Sequence, residues 1–199
     1  ENRMHWSDVF DLLKFQVLEY SQCCRCDAQS RPSFPTTHSY LMFDAPGEDC
    51  TLMEMVNRNL IEPNIVEGWT HEDGCGVKTN CLKFTRLDPQ SDIQFLTLIV
   101  NRPQNDLISG NLIINTKKIH SDALVTVKTV DEEIISFKLI AVIHHTGQVI
   151  GGETSGHYMC DILDVRTNQW IRTSDDDDPV PLDKPADNGY IIVFKKCTD

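Results

Sequence analysis

Gly151-Gly152-Glu153-Thr154-Ser155-Gly156-His157-Tyr158-Met159-Cys160 places a single histidine behind a glycine-rich segment, at the start of a run with the composition of a strand. Next come Gln169-Trp170-Ile171-Arg172-Thr173 and the acidic turn Ser174-Asp175-Asp176-Asp177-Asp178. Two neighbouring strands arranged this way bring an imidazole and a carboxylate together, which is half of a catalytic triad. Alternation along the strand puts His157 and Met159 on one face and Tyr158 and Cys160 on the other. Cys160 therefore points away from His157 and is not its nucleophile. Just upstream stands His145-Thr146-Gly147, and the glycines at 147, 151, 152 and 156 permit close backbone approach or positive φ.

Outward from this segment the chain reads as strands. Runs rich in β-branched and aromatic residues cover 81–87, 95–100, 111–115, 134–144, 156–164, 169–173 and 190–194, with polar turns between them. The N-terminal part reads as helical. Trp6, Phe10, Leu13 and Val17 recur at helical spacing, with Ser7 or Asp8 as N-cap, and predict an amphipathic helix over about 8–20. Residues 30–37, with Pro32 and Pro35, read as a loop, and 40–43 as a short strand ended by Pro46-Gly47. Thr51-x-x-Glu54 is a capping box; Leu52, Met55, Val56 and Leu60 share one face of the helix it opens, and Pro63 stops that helix. Helices early and antiparallel strands late give an α+β class.

At 199 residues, 40% hydrophobic and 24% charged, the composition is that of a globular protein able to bury a substantial core. No apolar run approaches the roughly 18 residues of a membrane span, so no membrane association is expected. A net charge of −12 repels phosphate backbones, which argues against nucleic acid and for a basic partner. Eight cysteines, grouped early and again near 75–81, suit a metal site in a reducing, intracellular compartment better than a disulfide framework. Cys23-x-x-Cys26 is one metal knuckle, because two thiolates at that spacing can turn toward one ion. A second ligand pair must come from elsewhere in the chain.

The order of parts, from about Ser21 to Phe194, resembles the ubiquitin-specific protease family, the ubiquitin carboxyl-terminal hydrolases. In that family a His-Ser-Gly run precedes Gly-His-Tyr, a tryptophan strand and an Asp-Asp turn. The closing strand Gly189-Tyr190-Ile191-Ile192-Val193-Phe194 is similar as well, and Arg102 stands where the family has a basic pair. The resemblance implies a papain-like α+β domain with fingers over about 21–95 and a palm carrying the histidine box over about 96–199. The thumb that bears the nucleophile is not recognisable, since no Asn-Thr-Cys turn at a helix start occurs in residues 1–70 and Thr79-Asn80-Cys81 leads into a strand.

For individual residues the resemblance implies a structural zinc, Zn2+, on Cys23, Cys26, His71 and Cys75, with Cys24 and Cys81 as alternates. It implies His157 as base and then acid. Its orienting carboxylate is Asp175, with Asp176 second, since counting from Trp170 falls on Ser174 and counting back from Val180 falls nearer Asp176. The orienter would accept from Nδ1 and leave Nε2 to face a thiol. Gly151, Gly152, Gly156 and Tyr158 would flank the channel for the tail of ubiquitin. The expected partners are ubiquitin or a ubiquitin-like protein, together with a complementary thumb segment or a second copy meeting the N-terminal apolar residues. Two functions follow from this: part of a deubiquitinating cysteine isopeptidase, or a pseudoprotease module that binds without chemistry.

Overall fold

The computed structural model describes residues 11–30, 32–72, 74–105, 112–150, 153–175 and 177–198. The strands are β1 (Phe15–Cys23), β2 (Thr36–His38), β3 (Leu41–Asp44), β4 (Cys50–Thr51), β5 (Asn64–Thr70), β6 (Lys78–Leu87), β7 (Phe95–Asn101), β8 (Pro103–Asn105), β9 (Leu112–Ile114), β10 (Ile119–His120), β11 (Leu124–Lys128), β12 (Ile134–Ile150), β13 (Glu153–Asp164), β14 (Gln169–Thr173), β15 (Val180–Leu182) and β16 (Gly189–Lys196). Among the described residues, 11–13 are helical, and a short helix, α1 (Leu52–Val56), runs into a π-helical turn, Asn57–Ile61.

The first departure from the sequence reading is at the N-terminus. Phe15 to Tyr20 lie in β1, not in a helix, with Phe15, Val17 and Cys23 buried at even spacing. Residues 11–13 are helical, as expected, but from Phe15 on, Val17 included, the helical period gives way to a strand. The aromatic and β-branched run Phe15-Gln-Val-Leu-Glu-Tyr fits a pleated strand, and its pairing with β6, from Val17↔Leu87 to Cys23↔Cys81, decides the outcome. Trp6 and Phe10 lie outside the described residues. A four-stranded sheet, ordered β2-β1-β6-β5, is built on this ladder, and β2 occupies the end of the stretch expected to be a loop.

The capping box forms as read: Thr51 Oγ1 accepts from the Glu54 N–H at 3.1 Å, and the Glu54 carboxylate accepts from the Thr51 N–H at 2.7 Å. It aims Leu52, Met55, Val56 and Leu60 into the core. The helix ends without a glycine cap. The buried Arg86 guanidinium donates instead to the Leu60 and Ile61 carbonyls at 2.8 and 2.9 Å, satisfying groups that a helix C-terminus leaves open.

The larger sheet runs β15-β14-β13-β12-β16-β7-β3, with β11 paired to the first part of β12. All its ladders are antiparallel except β3 with β7. Its buried face supplies Leu96, Leu98, Phe137, Leu139, Val142, Ile192 and Phe194 to one core that also takes in α1. Each side chain of this size stabilises by roughly 1.5–3 kcal/mol when fully buried.

β12 and β13 extend into the glycine segment, pairing Gly147↔Gly156 and Ile150↔Glu153. The expected loop is thus the outer half of a hairpin. At Gly156 the requirement is room, not positive φ, because a Cβ there would strike the Thr146 carbonyl and the His145 ring. Among the described residues, no helix is long and apolar enough to cross a membrane.

Candidate functional site

Two sites sit on the two sheets. On the smaller one, β1 ends at Cys23, and the chain turns back through Asp27, whose positive φ lets its N–H donate to the Cys23 carbonyl at 3.0 Å. This turn carries Cys26. Facing it is the β5–β6 connection, where the N–H of Gly74 and of Gly76 donate to the His71 carbonyl. Gly74 is packed so closely on the His71 ring that no side chain would fit there, and Gly76 has φ +64°. The turn therefore folds His71 and Cys75 toward β1, while Trp69 stacks on the His71 ring at 5.2 Å.

The result is a cluster of Cys23, Cys26, His71 and Cys75 whose ligand atoms all lie within 4.8 Å of one another. Cys23 Sγ is 3.8 Å from Cys75 Sγ, and Cys26 Sγ is 3.3 Å from His71 Nδ1. An ion about 2.3 Å from each thiolate and about 2.0 Å from the imidazole, in a tetrahedron, needs S–S edges of about 3.8 Å and S–N edges of about 3.5 Å. The four residues could hold a metal ion. The two alternates are left out: Cys24 is exposed, and Cys81 is buried beside the ladder. The Arg25 main-chain N–H, with that of Cys26 and the neighbouring thiols, overcomes desolvation and brings the Cys23 thiol down to about 6. The Ala28 N–H favours a Cys26 thiolate, yet desolvation and the nearby Cys23 leave that thiol raised.

On the larger sheet, His157 lies opposite Thr146 in the β12–β13 ladder. Its face of the strand carries Met159 and Asp161, as alternation requires. Tyr158, on the other face, is exposed and meets the His145 ring at 4.6 Å and the Tyr190 ring at 6.2 Å. The His157 ring has two neighbours from the end of β14. Nε2 is 2.5 Å from Ser174 Oγ, and Nδ1 is 3.4 Å from Asp175 Oδ2. The expected carboxylate does sit beside Nδ1, but it is 80% exposed with φ 33°. The shorter contact is with a serine and engages the nitrogen expected to stay free. Gly151, Gly152 and Asp176 lie outside the described residues. Among the described residues no cysteine sulfur is hydrogen-bonded to His157.

A third group escaped the sequence reading. Asp161 is fully buried and accepts from Arg172 Nε at 2.7 Å, Arg172 Nη2 at 3.0 Å and the Ala186 N–H at 2.7 Å. Burial alone would raise its carboxyl, but the Arg172 and Ala186 bonds outweigh that and lower it. Buried His144 lies on the same face, its Nε2 3.4 Å from Asp161 Oδ1, and burial pushes its pKa down against the pull of that carboxylate. The available signal was a histidine and an aspartate inside otherwise apolar strand runs, Ala141-Val-Ile-His144 and Met159-Cys-Asp161-Ile-Leu. Above them opens a cavity of about 1140 Å³, lined among others by Arg102, Ile114, His145, Met159 and Tyr190.

These features, a sheet with a histidine hairpin and a four-ligand cluster on a second sheet, define a protease-type palm and fingers. The sequence pattern described as "Ubiquitin carboxyl-terminal hydrolase" matches residues 1–194, and the chain belongs to that family. Solved structures of similar fold include the SAGA DUB module Ubp8/Sgf11/Sus1/Sgf73 bound to monoubiquitin. The match has a TM-score of 0.75 at 15% identity and covers 94% of this chain and 41% of that one. The same module bound to ubiquitin aldehyde matches with a TM-score of 0.76 at 15% identity, covering 99% and 44%. The yeast SAGA DUB module with an Sgf73 variant gives a TM-score of 0.73 at 15% identity, covering 99% and 44%. No curated protein matches the chain. The chain spans 41–44% of the length of these solved chains.

Proposed function

We propose that this chain supplies the ubiquitin-holding fingers and the histidine part of the catalytic site of a deubiquitinating cysteine isopeptidase. The observation that carries this reading is the placement of His157. In a chain of this family, it lies within the β12–β13 hairpin, its ring beside the Ser/Asp turn that follows β14. The chemistry is thiolate attack on the carbonyl after the terminal glycine of ubiquitin. His157 removes the thiol proton and returns it to the departing lysine amine, while a neighbour on the ring fixes its tautomer. The thiol would come from a segment other than those holding the eight cysteines of this chain.

We assign fingers to about 21–95 and a palm to about 96–199; the smaller sheet, β2-β1-β6-β5, supports the first and most of the larger sheet supports the second, although β3 and β4 pair with strands of the palm. The ion we assign to Cys23, Cys26, His71 and Cys75 is structural zinc. Four protein ligands leave no position for a reacting water, so its task is to tie the end of β1 to the β5–β6 connection. The partner we assign is ubiquitin or a ubiquitin-like protein, held by the fingers and by Gly151, Gly152, Gly156 and Tyr158 beside the hairpin. A complementary thumb segment, or self-association, would complete the cleft. The location we assign is inside the cell, in the cytoplasm or nucleus, and the free thiols of a candidate metal site support a reducing compartment.

A second reading is a pseudoprotease module that binds ubiquitin or another protein without chemistry. It is favoured by the lack, among the described residues, of a sulfur on the His157 ring. Titrating the chain with monoubiquitin, followed by NMR or calorimetry, tests what both readings share. Saturable binding that weakens when Cys75→Ser loosens the fingers is expected. No binding at millimolar ubiquitin would remove ubiquitin from both readings and leave only a module for another protein.

A further inference from the structure

Arg102 is 1% exposed and borders the cavity above His144 and Met159, yet among the described residues it meets no carboxylate. We propose that this cavity binds a carboxylate carried by a peptide chain, with Arg102 and Lys118 as the cations that recognise it. Such binding needs neither a thiol nor ubiquitin, so it stands apart from the isopeptidase reading.

The first observation is what Arg102 does with its donors. Nε donates to the Gly189 carbonyl at 2.9 Å, and Nη1 to the Asn115 and Lys117 carbonyls at 3.0 and 2.8 Å. The side chain thus ties the start of β16 to the segment after β9, two walls of the cavity. Its charge is left over. Nη2 has no partner, and the Tyr190 ring, 5.7 Å from Cζ, offsets the charge only in part. Buried cations are ordinarily paired. The other arginines of the interior follow that rule: Arg86 approaches the Glu132 carboxylate at 4.0 Å, and Arg172 holds Asp161.

The second observation is the balance of the wall. The chain carries a net charge of −12, which favours basic partners elsewhere on its surface. Here the sign is reversed. Arg172 is neutralised by Asp161, and Asp187, the acidic residue of the lining, has Oδ2 beside Lys184 at 3.1 Å and His120 at 3.5 Å. Lys118 is exposed and forms no ion pair among the described residues. Two cations therefore remain without counter-ions, and buried His144 adds an Nδ1 that has no partner. The wall repels an arginine or lysine side chain and attracts a carboxylate.

The third observation is size. About 1140 Å³ is more than a free inorganic anion fills, and Leu112, Ile114 and Met159 give the lining an apolar share beside the amide of Asn188. A peptide segment with apolar side chains and one carboxylate matches this mixture.

The test is methyl NMR of the whole chain labelled on its methionines, with Met159→Leu to assign the signal of the cavity. Four probes are titrated: acetyl-Leu-Glu-Leu-Glu-Gly-Gly-amide, a Leu-Gln-Leu-Gln-Gly-Gly peptide with a free C-terminus, the Leu-Arg-Leu-Arg counterpart ending in an amide, and sodium phosphate. The glutamate peptide should shift Met159 saturably and leave Met53 and Met55 in place. The same response to the glutamine peptide would assign the carboxylate to a chain terminus as well, and its absence to a side chain alone. Lys118→Glu, at an exposed position, should weaken binding roughly tenfold, the worth of one hydrogen bond to a charged group, and Lys118→Arg should restore it. The proposal is overturned if neither carboxylate peptide moves Met159, if the arginine peptide binds as tightly, if phosphate alone reproduces the shift, or if Lys118→Glu changes nothing.

Discussion

Cys23 and Cys81 stand directly opposite each other in the ladder of β1 and β6, both buried, yet only Cys23 belongs to the four-ligand cluster. Cys23 ends its strand, where the chain turns and frees its sulfur to meet Cys75. Cys81 lies within β6, flanked by pairs on both sides. The metal prediction is accordingly asymmetric. Elemental analysis of protein prepared without chelator should find about one zinc per chain. Cys23→Ser should lose it and Cys81→Ala should keep it. Chelation should lower the midpoint of thermal unfolding, because a structural ion is bound by the folded state alone.

Removing Arg172 leaves the Asp161 carboxylate buried with a single main-chain donor. Breaking a buried pair from one side costs about 3–5 kcal/mol; Arg172 itself is 31% exposed, which lets water reach the gap and places Arg172→Leu near the lower end. Urea unfolding should show a midpoint shift with an unchanged slope. A loss below about 1 kcal/mol would mean that the carboxylate had already taken up a proton or a water.

The pH dependence follows from His144. Burial holds its folded pKa below the unfolded value of about 6.5. The unfolded chain therefore binds the extra proton first. The stability gained from a neutral, buried ring is fully present above about pH 6.5 and is lost as the pH falls toward the folded pKa. Asp161, whose folded pKa is also lowered, adds a second loss at more acid pH, below the ordinary carboxylate range. Stability measured by urea at several pH values should fall from pH 7 to 5, and His144→Leu should flatten that part of the curve.

Legibility in the sequence followed the range of the interactions. The capping box and the ligand turns are local, and both were readable: Thr51 needs only Glu54, and the Cys23–Cys26 turn needs only its own backbone. The strands around the histidine box were readable because Gln169–Thr173 and its neighbours carry dense β-branched and aromatic residues. β1 was misread because Leu13 and Val17 fit a helical period, and only its partner Leu87, seventy residues on, decides otherwise. β5 and β11 were missed: β5 is mostly exposed and has no clean alternation, and β11 is a short strand held by its ladder to β12. The histidine's neighbours were less legible for a related reason: counting along the acidic run cannot rank Ser174, one residue past the last ladder pair, against Asp175, one residue further.

The last prediction concerns the thiols. Covalent catalysis needs a thiolate within reach of a base, and none of the eight cysteines is placed so. Cys23, Cys26 and Cys75 are committed to the cluster. Cys50 and Cys160 are pushed up by burial, which keeps them protonated and weakly nucleophilic. Cys160 also sits on the strand face opposite His157. Cys24 is exposed but lies beside the metal cluster on the other sheet, Cys81 is packed in the ladder, and Cys197 follows the last strand. The chain of 199 residues should therefore neither release fluorophore from a ubiquitin C-terminal conjugate nor form an adduct with a ubiquitin vinyl probe, even where it binds ubiquitin. Intact-mass spectrometry after overnight incubation with the probe reads this directly. An adduct mapped to any of the eight cysteines would identify a nucleophile within the chain and reverse the assignment of His157 as a base awaiting a thiol from elsewhere.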